Sequence, residues 1–177
     1  MTGINKQQVE QLENVRNLVS RVKQYVAELY NYYIPPFKIN TVKLFDTEVL
    51  SVINDIQRKT RTSNNWFRLD GDYYTVDSNT FKKIIQWDWT DTRRYLVDLF
   101  DCDKFAIYFK SRISIDFHIN AIAVILDYSS GHAYNLVILK DGNQVKYYLY
   151  EPQTDDLFTF EQRDTRFYAM RDFYILL

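Results

Sequence analysis

The chain has 177 residues, 46% of them apolar, with 15 Tyr and 12 Phe beside only 4 Gly and 3 Pro. That composition excludes a disordered chain and implies one ordered domain with a helical appendage and short loops. Lys plus Arg (22) nearly balance Asp plus Glu (23), for a net charge of −1, and no basic block interleaved with aromatics tracks a phosphate backbone, so nucleic acid is not an expected partner.

The start at Met1-Thr-Gly-Ile-Asn-Lys6 lacks the regions of a signal peptide, and no run approaches the ~20 apolar residues of a membrane span. The expectation is a soluble, cytoplasmic protein with no membrane partner. A single cysteine, Cys102, excludes an intramolecular disulfide framework and a thiolate metal cage, which fits a reducing compartment.

From Gln8 to Tyr33 the apolar positions Val9, Leu12, Val15, Val19, Val22, Val26, Leu29 and Tyr33 are spaced by threes and fours, which predicts a long amphipathic helix. Ile34-Pro35-Pro36 stops it. Residues 1–36 form this element, read either as a helix laid across its own core or as a homodimerising or docking coiled coil through residues 8–33, and 37–177 form one α+β domain. Asp46 to Arg58 predicts a second helix with Val49, Val52, Ile53 and Ile56 on one face. Arg58 to Asn65 reads as a polar loop, and Tyr73 to Val76 as a short strand after the Asp70-Gly71-Asp72 turn. Asp77 or Ser78 is placed to cap a helix running through Trp87.

After Trp89 a helix-like stretch runs from Asp91 to Phe100, and Asp101 caps a further helix that begins at Cys102. His118 falls among apolar residues and is read as a packed or surface strand position. Strands follow at 120–127, 132–139, 144–150 and 171–177, separated by Ser129-Ser-Gly131 and Asp141-Gly142. The fold class is therefore α+β, N-terminal helices followed by one helix bearing Cys102 packed on an antiparallel sheet.

The chemistry-bearing candidates lie in this half. A thiol in the first turn of a helix is favoured as the anion by free amides and by the dipole, while the carboxylates of Asp101 and Asp103 oppose ionisation. His132, at the head of a strand after Gly131, is the better placed of two histidines to partner a thiolate. A two-residue Asp141-Gly142 loop sets His132 opposite Glu151, and a four-residue loop sets it opposite Gln153, so either register delivers a carboxylate or an amide to the imidazole. Tyr95 or Trp89 either supplies a donor near Cys102 or packs in the core.

The segments Phe100-Asp-Cys-Asp-Lys-Phe-Ala106, Ser130-Gly-His-Ala-Tyr-Asn135 and Tyr150-Glu-Pro-Gln-Thr-Asp155 resemble the papain-like cysteine protease domain at the C-terminus of certain fungal agglutinins, and small related domains of phages and other viruses. The resemblance covers roughly residues 90 to 177. It implies a papain-like core and a thiol hydrolase, most simply a peptidase, with Cys102 as nucleophile, His132 as acid and base, and Glu151 as the orienting group. Gln153, Tyr95 and Trp89 would then line the substrate cleft. Metal dependence in the agglutinin relatives implies Ca²⁺ or Mn²⁺ at an oxygen-rich site for which Asp103 and Asp155 are the candidates. The partner is then a polypeptide substrate, or a viral or host protein, in a host cytoplasm or a virion.

The competing reading is a non-catalytic structural or binding protein that keeps the fold and self-associates through its N-terminal helix. No likeness to the agglutinin's sugar-binding domain is visible in residues 1 to about 88.

Overall fold

The computed structural model describes residues 6–33, 35–63 and 66–177, with the side chains of residues 6–9 and 30–33 left aside. The expectations for Met1 to Asn5, for Ile34 and for Asn64-Asn65 lie outside the described residues, as do those for the side chains of Val9 and Tyr33.

Two compact units make up the chain, Met1–Lys38 and Ile39–Leu177. The first carries helix α1, Lys6–Tyr33, 28 residues long. No helix among the described residues is long and apolar enough to cross a membrane.

The second unit is α+β. Strand β1 (Val42–Leu44) pairs antiparallel with β3 (Tyr73–Thr75) in a small sheet. The main sheet has six strands in the order β2-β8-β4-β5-β6-β7: Trp66–Phe67, Phe173–Leu176, Ile122–Asp127, His132–Asp141, Gln144–Glu151 and Asp156–Phe158. The pairings are antiparallel except β2 with β8, which is parallel. The expected all-antiparallel sheet is thus a mixed one, because a two-residue strand arriving from far along the chain takes the free edge of β8.

Alternation along the strands gives the sheet two packed faces. Tyr134, Leu136 and Ile138 of β5, with Ala123 and Ile125 of β4, bury against Val49, Val52, Ile53 and Ile56 of α2 (Asp46–Thr60). These four are the face that the sequence spacing picks out. Glu48 Oε2 takes a hydrogen bond from the Phe45 amide at 2.8 Å, which fixes the start of α2.

The opposite sheet face meets α3 (Ser78–Trp87) and α4 (Cys102–Phe117). There Tyr150 packs edge-on to Phe81 and against Phe109, with ring centroids 4.4 Å apart in the latter pair. Asn135 Nδ2 donates to the carbonyls of Ala106 and Ala123, tying α4 to the sheet. Asp77 caps α3 through the amides of Asn79 and Thr80.

Two sequence expectations change here. The stretch Asp91 to Phe100 is not helical: it forms turns closed by a bridge between Leu96 and Phe100. Asp98 holds a φ of 62°, and Val97 and Leu99 stay exposed, so the apolar residues have no face to bury and nothing drives a helix. His118 is not in a strand but ends α4 with a left-handed φ of 57°.

Candidate functional site

The hairpin of β5 and β6 builds the site. Asp141 pairs with Gln144, so the two-residue loop is Gly142-Asn143 rather than Asp141-Gly142. Gly142, with φ +60°, takes the left-handed position that the first residue of such a loop requires. Asp141 stays in the strand because its carboxylate accepts hydrogen bonds from the Ser78 amide and hydroxyl and pairs with Lys146. Those contacts hold its pKa down at about 2.

The slip moves every partner by two residues, which leaves side chains on the same sheet face. Continuing the register beyond Asn135↔Tyr150 sets Glu151 beside Tyr134, and His132 becomes its diagonal neighbour. His132 Nε2 and Glu151 Oε2 lie 2.6 Å apart.

Glu151 is buried and accepts three more hydrogen bonds: from the Gln153 amide at 3.2 Å, from Gln153 Nε2 at 3.1 Å and from the Tyr168 hydroxyl at 3.2 Å. Tyr168 and Tyr134 flank the imidazole, each with its ring centroid 5.6 Å away. Burial and the adjoining Glu151 charge push the Tyr168 hydroxyl well above its ordinary pKa.

A second buried carboxylate supports this corner and went unnoticed in the sequence. Asp127, 1% exposed, takes bonds from Ser129, Ser130, Tyr134 and the Met170 amide. It pins the β4–β5 turn to the segment that carries Tyr168. The Asp127-Tyr-Ser-Ser130 run was the signal available, since such a residue before serines accepts local turn bonds.

Cys102 opens α4, and its thiol lies within reach of the backbone amide of Ala133, the residue next to His132 on β5. Burial raises the thiol pKa, and the carboxylates of Asp101 and Asp103 raise it further, against the lowering by the amides of Ala133 and Asp103. Lys104 sits between those aspartates, 3.2 Å from Asp101 and 2.9 Å from Asp103. The counter-cation for the carboxylates is therefore a lysine.

The remaining candidates scatter. Tyr95 stacks on Phe105 near Cys102, whereas Trp89 is held between Arg93 and Arg112, whose Cζ atoms lie 3.9 and 4.1 Å from its ring centre. Asp103 is bound to Lys104, and Asp155 accepts the Tyr150 hydroxyl at 2.6 Å. Among the described residues no three His, Cys, Asp or Glu side chains converge to hold a metal ion.

Beside Tyr168 opens a cleft of about 280 Å³ lined by Asp156, Leu157, Phe158, Gln162, Asp164 and Tyr168. Phe158 and Tyr168 present two rings, centroids 4.8 Å apart. Arg166 pairs with Asp164 at 2.6 Å and lowers its carboxyl pKa to about 2, and Asp156 accepts the Thr154 hydroxyl at 2.6 Å. Each carboxylate has about four acceptor positions; those of Asp164 are taken up by the Arg166 amide and guanidinium, while Asp156 keeps capacity for a ligand's hydroxyls.

An open mixed sheet between helices, carrying a carboxylate-centred corner and a polar, aromatic cleft, defines an α+β domain. A family model described as the ricin-type β-trefoil lectin C-terminal domain matches residues 11–169, and the chain belongs to that family. Two solved structures share its fold. One, described as "PSL1a-E64 complex", has a TM-score of 0.56 and 19% identity over 76% of this chain and 51% of its own. The other is Polyporus squamosus lectin bound to the human-type influenza-binding epitope Neu5Aca2-6Galb1-4GlcNAc, with a TM-score of 0.53 and 18% identity over 77% of this chain and 49% of its own. The chain thus spans about half the length of these structures. A search of the curated proteins returns no match.

These findings overturn the identification as a papain-like cysteine protease domain, and with it the thiol hydrolase and peptidase reading. The matching family is a lectin one, it extends from residue 11 instead of about 90, and the structural neighbours are lectins. Of the three expected site residues, His132 and Glu151 form a hydrogen-bonded pair.

Proposed function

We propose that the chain is a non-catalytic binding module that takes a hydroxyl-rich ligand, a neutral glycan, in the cleft between β7 and residues 162–168. The observation that carries this reading is the lining of that cleft, two aromatic rings flanked by the Asp156 and Asp164 carboxylates and the Gln162 amide. Sugar rings offer an apolar face for stacking and a rim of hydroxyls for carboxylate and amide acceptors. A larger cleft of about 610 Å³ beside α2 fits less well, because Tyr147 is its single aromatic residue.

The His132–Glu151 pair is then a positioning device. It holds Tyr168, whose hydroxyl it anchors, at the right tilt for one wall. The structural relative bound to a sialylated trisaccharide supports a glycan ligand. Two carboxylates at the rim disfavour a terminal sugar that bears its own carboxylate, so the neutral end of such a chain is the better match.

Calorimetric titration of the full chain with N-acetyllactosamine, and with the same sugar capped by sialic acid, tests the reading. The neutral sugar binds more tightly, and Phe158→Ala weakens it at least about tenfold, the loss of one stacked ring. Absence of heat with both sugars at millimolar concentration, or binding unaltered by Phe158→Ala, would overturn it.

A further inference from the structure

Helix α1 presents an exposed apolar seam. Leu12, Val15, Leu18, Val19, Val22, Tyr25, Val26 and Leu29 remain between 44% (Leu29) and 65% (Tyr25) exposed. Six of the eight follow a strict heptad: Leu12, Val19 and Val26 occupy one core position, and Val15, Val22 and Leu29 the other. The remaining sides of the helix carry Glu10, Glu13, Ser20, Arg21, Gln24 and Glu28, all exposed and polar.

We infer that this seam docks on the α1 of a second copy of the chain, forming a parallel two-stranded coiled coil. The period selects the partner. A repeat of 3.5 residues stays in register over three heptads only against another helix with the same repeat, whereas a flat or globular surface would leave alternate turns uncovered.

The flanking charges select the direction. Arg16 and Lys23 follow the second core position. In a parallel pair they face Gln11 and Leu18 of the other helix, both uncharged. In an antiparallel pair the cations would face each other and repel. Covering eight apolar side chains from each helix reaches the ~1,200 Å² or more expected of a specific interface.

The inference stands apart from the glycan reading. Where both hold, the pair carries two copies of the 39–177 unit, so a multivalent glycan surface would bind through avidity.

Light scattering of the full chain, diluted from high micromolar to nanomolar concentration, reads the assembly directly. We expect twice the chain mass of 21.4 kDa at the upper end. The double variant Val19→Glu with Val26→Glu should weaken association at least about a hundredfold, since charges cannot be buried in the seam, while Ser20→Glu on the polar side should not. Disulfide trapping keeps the test independent of helix stability: in a Cys102→Ser background, Leu29→Cys chains cross-link to one another when the helices are parallel. A monomer at every concentration, a dimer untouched by the double variant, or cross-linking that requires mixing Leu29→Cys with Leu12→Cys chains would overturn the proposal.

Discussion

His132 and Glu151 meet at 2.6 Å although they are diagonal rather than directly opposed across the β5–β6 hairpin. Their contact rests on one face of the sheet being kept through the register slip, and on two long side chains spanning the ~7–8 Å between diagonal neighbours. Glu151 gathers four donors at 4% exposure, so it is the structural centre of this corner.

Glu151→Gln tests that centrality. The amide keeps the shape but sets an NH₂ group against one of four donors and gives up the charge-assisted bonds, so we expect a loss of about 2–3 kcal/mol in urea unfolding. Gln153→Ala, which removes one donor at a less buried position, should cost about 1 kcal/mol. A Glu151→Gln protein as stable as the parent would show that the carboxylate is not what holds His132, Gln153 and Tyr168 together.

The thiol offers a second test. Burial, with Asp101 and Asp103 beside it, raises the Cys102 pKa above the ordinary 9.0, so iodoacetamide should label the native chain slowly at neutral pH. His132→Ala should leave that rate unchanged, because the imidazole Nε2 is engaged with Glu151 and it is burial, with Asp101 and Asp103, that raises the thiol pKa. Replacing Asp101 and Asp103 together by Asn should speed labelling by lowering the thiol pKa. Rapid labelling at neutral pH that depends on His132 would contradict the described geometry.

How much of this was legible in the sequence depended on the range of the interactions. The α2 face of Val49, Val52, Ile53 and Ile56, the Asp77 cap and the start of α4 at Cys102 were readable, because spacing and capping are local. The hairpin was readable in outline but not in register, since it is Ser78 and Lys146, reaching Asp141 from other parts of the chain and strand, that keep this residue out of the loop.

Tyr168 and Asp127 could not be joined to the site from sequence, because a loop after β7 brings the tyrosine back onto β5.

Asp155 supplies a pH test. Burial raises its pKa to about 6, the charges of Asp91, Asp88 and Asp156 adding to the shift and the Tyr150 hydroxyl opposing it. A carboxyl whose folded value exceeds its unfolded value of 3.8 contributes stability fully present below that value and lost as pH rises through about 6. Asp155→Asn should remove this slope and leave the chain about 1–2 kcal/mol more stable at neutral pH, a full shift being discounted for partial solvent screening. Asparagine also tolerates the left-handed backbone at this position, φ 60°. Thermal melts from pH 4 to 7 would show it, and an unchanged slope would assign the titration to another group.

Lys110 gives the opposite sign. Its ammonium is buried beneath α4 with the Ile122 carbonyl as acceptor, and burial lowers its pKa to about 8, partly offset by the charge of Asp70. A lysine whose folded value is depressed contributes stability present above its unfolded value of 10.5 and lost as pH falls through about 8. Lys110→Met, similar in length and without a charge to bury, should therefore stabilise the chain at neutral pH by about 1 kcal/mol, the relief of desolvation exceeding the lost hydrogen bond. Above pH 10.5 the order should reverse, because neutral lysine keeps its bond to Ile122 at no desolvation cost and methionine cannot make one. Urea titrations of both proteins at the two pH values decide the matter, and a Lys110→Met chain less stable at both would show that the lysine is held as a favourable charge.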